Sequence, residues 1–301
     1  MTVSTLAPSP DVSRAQAKYF GTAFVFAGGG SHGAVQVGML RALHAFGIRA
    51  DFVVGTSVGA VNGVHYAGDP TAEGIERLAR VWTDLSSREV YPGLPLGWLR
   101  AIVGQHPHVV DPRSLRRLLE RNFRTPRLED AVLPAVVIAA DARDGSEVLL
   151  SRGSAVDAVL ASAAIPVLFP PVLIDDRLLV DGAIAKNAAI STAVALGAEC
   201  VVVLPTGFGC AVTESPRNVI AMGMHVVTIL LARQLVNEAA RHAGHLPIVV
   251  VPPVCPMNVS SYDFSHAQRL IASAEESTTR WLVSGGLDDR TIPLTLAPHT
   301  H

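Results

Sequence analysis

Apolar residues in this chain fall into short runs, each stopped by glycine, proline or a charged residue. Ala23–Ala27 (AFVFA) ends at Gly28, and Phe52–Val54 ends at Gly55. Ala135–Ala140 and Glu147–Leu150 flank the turn Arg143-Asp144-Gly145. Leu178–Val180, Cys200–Leu204 and Ile248–Val251 have the same character. Runs this short and this apolar predict buried strands. Between them the apolar positions recur at helical spacing. Ala34 to Phe46 places Val37, Leu40 and Leu43 on related turns and stops at Gly47. Further helices are predicted over Val58–Ala67, Thr71–Leu85, Pro112–Asn122, Val156–Ala163, Ala188–Leu196, 216–242 and 265–284. Strands and helices alternating in this way predict an α/β fold: three α/β/α layers around a mostly parallel central sheet.

Two kinds of segment break the alternation. Residues 1–20 carry Pro8, Pro10 and several Ser and Thr, and read as a loose tail. The expected organisation is that tail, a single domain over 21–285, and a second tail over 286–301. Ser86 to Val110 holds Pro92, Pro95 and Pro107 and the apolar Leu94, Leu96, Trp98 and Leu99. It reads as an excursion over the sheet of the kind that forms a lid, with Trp98 facing substrate.

Composition narrows the class. Hydrophobic residues make up 49% of the chain and aromatics 5%, so the core is built from Ala, Val, Leu and Ile, as layered α/β packing requires. A formal net charge of -2, with the signs mixed along the chain, argues against nucleic acid as a partner. Cys200, Cys210 and Cys255 form no C-x-x-C pair, which argues against a disulfide framework or zinc site and for a reducing, cytoplasmic setting. Cys200, inside AECVVVLP, reads as a buried thiol. The first residues lack the apolar core of a signal peptide. The longest apolar stretch, Val219 to Ala232, is shorter than the roughly 20 residues a spanning helix needs. The positive mean hydropathy, +0.36, leaves room for a peripheral membrane contact.

Two glycine-rich turns carry candidate chemistry. Gly55-Thr56-Ser57-Val58-Gly59 has the form G-x-S-x-G, follows a strand and opens a helix. A serine on so sharp a turn is lifted into the open, and the glycines remove side chains that would crowd it. The rival reading is a serine that merely caps the helix. Gly28-Gly29-Gly30-Ser31-His32-Gly33 also joins a strand to a helix. Its unscreened N–H groups at a helix start suit an anion, as either a phosphate cradle or an oxyanion hole. A dinucleotide site would require an acidic residue ending the second strand; Asp51 begins it instead. If the first two strands are neighbours, one turn supplies a nucleophile and the other the oxyanion donors. Downstream of Ser57 no histidine stands in a strand-end loop with a supporting motif, and His65 and His225 fall inside helices. His32, in the glycine loop itself, is the histidine that stays in contention. Asp181 ends the apolar Leu178–Val180 and precedes Gly182, which places it at the carboxyl edge of the sheet with Ser57. An Asp-Gly turn of no chemical consequence is the alternative.

The ordered set GGGSHG, GTSVG and DGA, with ASAAIPVLFPPV upstream of DGA, resembles the patatin-like phospholipase family over about residues 23 to 205. That resemblance implies a layered α/β fold and cleavage of fatty-acyl lipid esters by a Ser-Asp dyad, with no cofactor and no metal. Ser57 corresponds to the nucleophile, Asp181 to the general base, and Gly28, Gly29 and Gly30 to the oxyanion loop. Gly33, Gly55, Gly59 and Gly182 are the supporting motif glycines. His32 stands where the family usually has arginine, and is expected to face substrate. The implied partner is a lipid or ester substrate, met at a membrane surface or in solution. A non-catalytic lipid-binding protein on the same fold is the rival.

Overall fold

The computed structural model describes residues 18–91, 109–185, 189–207, 219–257 and 259–288. The short apolar runs become the strands of one eight-stranded sheet: β1 (Thr22–Phe26), β2 (Phe52–Thr56), β3 (Ala135–Asp141), β4 (Glu147–Leu150), β5 (Val172–Ile174), β6 (Arg177–Asp181), β7 (Cys200–Leu204) and β8 (Ile248–Val250). The order is β5-β6-β3-β2-β1-β7-β8, with β4 also on β3. β3, β2, β1, β7 and β8 run parallel, and β4, β5 and β6 pair antiparallel. The helices are α1 (Ala34–Ala45), α2 (Val58–Gly68), α3 (Ala72–Asp84), α4 (Ser87–Val90), α5 (Arg113–Asn122), α6 (Ala155–Ser162), α7 (Ala189–Ala195), α8 (Val219–His242) and α9 (Ala267–Val283).

Strand alternation divides the apolar side chains between two cores. Phe24, Phe26, Val53, Val137 and Leu179 point to one face and pack against α1, α2, α3, α6 and α9. Ala23, Val25, Phe52, Val54 and Ile138 point to the other, against α7 and α8. This is a three-layer α/β/α fold.

The structure departs from the sequence expectations at several points. Tyr19 belongs to the folded unit rather than to a tail: its ring lies 5.2 Å from that of Phe52, and its N–H donates to Leu196 O at 2.7 Å. Cys200 is half-buried, not fully enclosed. Ser87–Val90 is a short helix closed by a reciprocal Ser86–Glu89 cap. Residues 92–108, with Leu94, Leu96, Trp98 and Leu99, lie outside the described residues. β5 has no counterpart in the sequence reading. It joins β6 through Asp175 and Asp176, both in the left-handed region (φ 47 and 60), where aspartate is better tolerated than most residues.

β6 also has a consequence for the site. The sequence reading sends Asp181 out at the carboxyl end of a strand running with β2. β6 instead runs antiparallel to β3. Val137 and Ile138 pair with β2 on one edge of β3 and with β4 on the other. Ala139 and Ala140 pair with β4 and with β6. Thus β6 takes over the edge of β3 where β2 stops. Its last residue, Asp181, opposite Ala139, occupies the register position next after Thr56–Ile138.

Candidate active site

A single residue, Ser57, links the end of β2 to the start of α2. To turn the chain through so short a link, Ser57 adopts φ 56, ψ -127. A left-handed non-glycine residue costs on the order of 1–3 kcal/mol and persists only where its surroundings enforce it. The enforcement is visible. A Cβ on Gly59 would sit 2.2 Å from Phe26 O, and one on Gly55 2.7 Å from Ala60 Cα. Helix and strand therefore touch backbone to backbone, and both positions must be glycine. The Ser57 N–H donates to Ser162 Oγ at 2.8 Å, and that hydroxyl donates to Ile138 O at 2.6 Å. Ser162 is fully buried and goes unnoticed in the sequence reading.

The Ser57 side chain makes no helix-capping bond. Its hydroxyl donates to Asp181 Oδ2 at 2.7 Å. The other carboxylate oxygen, Oδ1, accepts the Ala183 N–H at 2.8 Å. Gly182 permits the approach of β6 to β2, since a Cβ there would lie 2.2 Å from Ile138 O and 3.0 Å from Thr56 Cγ2. Burial raises the Asp181 carboxyl from 3.8 to about 6, against the opposing pull of its two hydrogen bonds. The Tyr91 phenol is pushed up to about 12 by desolvation and then by the Asp181 charge. Tyr91 packs on Phe169 and Phe264 and is a second residue, near Asp181, that the sequence does not reveal.

The glycine loop follows β1, the parallel neighbour of β2. Gly28 lies against the serine: a Cβ there would be 3.2 Å from Ser57 Cβ. Gly29 (φ 156) and Gly30 (φ 59) hold conformations that side chains disfavour, and a Cβ on either would strike Thr206 Oγ1 or Ser261 O. The N–H groups on either side of the loop are committed, Ala27 to Leu204 O and Ser31 to Ser261 O. Those of Gly28, Gly29 and Gly30 donate to no acceptor among the described residues. Gly33 is closed off by Val58 and Trp82.

Buried polar side chains brace this loop from behind. Thr206 Oγ1 donates to Gly28 O at 2.6 Å. Gln36 Nε2 donates to both Ala27 O and Leu204 O. Asn62 Nδ2 donates to Gly33 O and to Gln36 Oε1, while Trp82 Nε1 donates to Asn62 Oδ1. His32 belongs to this bracing, which corrects its expected place facing substrate. Its ring is buried and Nε2 bonds to Val259 O at 2.8 Å, tying the loop to the segment before α9. Burial lowers its pKa, so it carries no fixed charge in place of the family's arginine.

Among the described residues no histidine ring bonds to Ser57 or Asp181, and no cluster of three or more His, Cys, Asp or Glu has a metal-binding arrangement. The arrangement can move one proton from a serine to a carboxylate, with the glycine loop lying against that serine at Gly28.

Comparison with known proteins places this geometry in a family. Residues 24–194 match the model of the patatin-like phospholipases. Patatin-like phospholipase domain-containing protein 6 of Homo sapiens is 28% identical over 187 residues, which are 62% of this chain and 13% of that protein. Neuropathy target esterase sws of Drosophila melanogaster is 25% identical over 185 residues, 61% of this chain and again 13% of that protein. The chain therefore matches a small part of these much longer relatives. Among solved structures, human GIVD cytosolic phospholipase A2 with methyl gamma-linolenyl fluorophosphonate overlays at a TM-score of 0.48 and 14% identity, covering 90% of this chain and 59% of that one. The family match takes in more than half of the chain, including the glycine loop, Ser57 and Asp181, and the protein belongs to the patatin-like phospholipase family.

Proposed function

We propose that the protein is a serine acyl hydrolase that cleaves fatty-acyl esters of lipids through an acyl-enzyme on Ser57, with Asp181 as general base. The observation that carries this reading is the 2.7 Å bond from Ser57 Oγ to Asp181 Oδ2 beside a loop of three glycines whose N–H groups have no acceptor among the described residues.

In the first stage Ser57 Oγ attacks the ester carbonyl carbon as its proton passes to Asp181 Oδ2. The carbonyl oxygen becomes an oxyanion held by the N–H groups of the Gly28–Gly30 loop. One such donor is typically worth about 3 to 4 kcal/mol. The N-terminus of α2, directly behind Ser57, favours the same negative charge. The carbon–oxygen bond to the alcohol then breaks, and the alcohol oxygen takes the proton from Asp181. In the second stage a water gives a proton to Asp181 and attacks the acyl carbon. Collapse of that intermediate returns the proton to Ser57 and frees the fatty acid. An ordinary aspartate is a weak base for this work. The burial that raises Asp181 to about 6 strengthens it and still leaves it ionised at neutral pH.

A lipid substrate is supported by the surroundings of the site as well as by the family. Met222, Val226, Ile229 and Leu230 are exposed on α8. The next residue, Leu231, lies beside Gly28. Exposed apolar residues running up to an oxyanion loop suit contact with acyl chains at a membrane surface. No helix among the described residues is long and apolar enough to cross a membrane. The test is incubation of the protein and of Ser57→Ala with mixed natural lipids, with products read by mass spectrometry. Free fatty acid from the wild type alone is expected. Equal release by Ser57→Ala, or none from any ester class, overturns the reading.

A further inference from the structure

A cavity of about 520 Å³ opens at the far end of α2, and neither Ser57 nor Asp181 lines it. His65, in the last turn of α2, lies eight residues beyond Ser57, about 12 Å along the helix axis. The cavity is enclosed by α3, α4 and α5 and is rich in cations: Arg77 and Arg80 from α3, Arg121 from α5, and Arg124 just after it. Asp84 and Glu89 are the carboxylates in the lining, and Glu89 is occupied in capping α4 through Ser86.

Three features mark this cluster. Arg77 and Arg124 share one carboxylate, Asp69, while Arg80 and Arg121 have no ion-pair partner among the described residues. Arg77 Nε is buried without a hydrogen-bond partner. His65 is 6% exposed, and its Nδ1 is likewise buried and unpartnered. Buried polar nitrogens without partners are costly, on the order of 1–3 kcal/mol each, while the guanidinium groups of Arg80 and Arg121 are exposed where they line the cavity and open to an acceptor. A tetrahedral oxyanion supplies several acceptors at once and matches the fork of donors that a guanidinium presents.

We propose that this cavity is a separate binding site for a phosphate group carried on a small organic body. The guanidinium groups of Arg77, Arg80 and Arg121 meet the phosphate oxygens. His65 forms part of the cavity wall. Leu85, Leu118 and Phe123 line the rest of the space and receive the organic body. Burial, and then the charge of Arg77, hold the His65 imidazole down at about 4, so its part of the wall is neutral. The phosphate reaches the cavity either as a soluble phosphomonoester or as a lipid headgroup, since both present the same oxygens.

Titration calorimetry with glycerol 3-phosphate, with glycerol as the uncharged control, tests the soluble source. Cosedimentation with phosphatidylcholine vesicles, with and without phosphatidic acid, tests the lipid source. Both use the full chain carrying Ser57→Ala, so that no lipid is consumed. Binding of at least one phosphate probe, weakened tenfold or more by Arg80→Gln/Arg121→Gln, is the expected result. Arg113→Gln/Arg117→Gln removes the same charge from exposed positions of α5 outside the cavity and leaves binding unchanged. Arg80 and Arg121 are at the surface, so their loss leaves the fold intact, and the otherwise wild-type double variant keeps its basal ester hydrolysis. Failure of both probes to bind overturns the proposal, as does equal weakening by the two double variants. Neither outcome bears on the Ser57 chemistry, which the fatty-acid assay reads separately.

Discussion

Replacing Asp181 with asparagine is expected to stabilise the protein while removing its activity. The carboxyl is almost completely buried and titrates near 6 in the fold, against an ordinary value of 3.8. A raised folded-state pKa means that folding favours the protonated form. The fold is therefore favoured below about pH 4. That advantage is lost as pH rises through about 6, because the ionised carboxylate must be held away from water. The displacement from 3.8 to about 6, at 1.36 kcal/mol per pH unit, amounts to about 3 kcal/mol at pH 8. Asparagine keeps an oxygen for the Ala183 N–H and carries no charge. Relative to wild type, Asp181→Asn should gain little at pH 4 and up to about 3 kcal/mol at pH 8, a large share of a typical folding free energy. Urea denaturation of both proteins across that range measures the gap, and groups common to both cancel. A variant no more stable than wild type at pH 8, or a gap that does not grow with pH, would refute the reasoning. That result would mean the carboxylate is not held ionised against its surroundings.

The pH profile of activity follows from the same group: kcat/KM should fall on the acid side with a midpoint near 6 and should keep that midpoint when His32, His65 or His266 is replaced singly. A midpoint that vanishes with one histidine would assign the base elsewhere. Gly29→Val should cut kcat by at least about a hundredfold, the loss typical of one oxyanion donor, because its Cβ would strike Thr206 Oγ1; initial rates on a soluble ester measure it. Ser162→Ala strips the Ser57 N–H and Ile138 O of their partner, which should cost about 1–3 kcal/mol in a denaturant melt and lower kcat more than it changes KM. Gly182→Ala should drive β6 away from Ile138 O and abolish turnover in a folded protein, as judged by circular dichroism beside the rate.

Much of the fold was legible because its signals are local. Runs such as AFVFA and CVVVL end where glycine or proline ends them, and helical spacing fills the gaps, so the alternation behind the α/β layers can be counted along the chain. Ser57 was legible for a similar reason, since a strand, two glycines and a helix start surround it within a few residues. Asp181 was reached with help from the family motif, but its route was misread. An apolar run does not carry its direction, and the antiparallel course of β6 depends on the Asp175-Asp176 turn and a third partner strand. The bracing of the site was illegible. Ser162 lies 105 residues from Ser57, and Thr206 lies 178 residues from Gly28. Each is one polar residue whose role exists only after the sheet has assembled. His32 drew attention because it sits in the reactive loop, yet its hydrogen-bond partner, Val259, is 227 residues away. The arginine cavity combines residues from separate helices, and no spacing in the sequence joins them.

The account rests on Ser57 being the atom that is acylated. Intact-mass and peptide-level mass spectrometry after exposure to a fluorophosphonate tests that most directly. The expected result is one adduct per chain, on Ser57, absent from Ser57→Ala and formed far more slowly by Asp181→Asn. An adduct on another residue, or undiminished labelling of Ser57→Ala, would contradict the account.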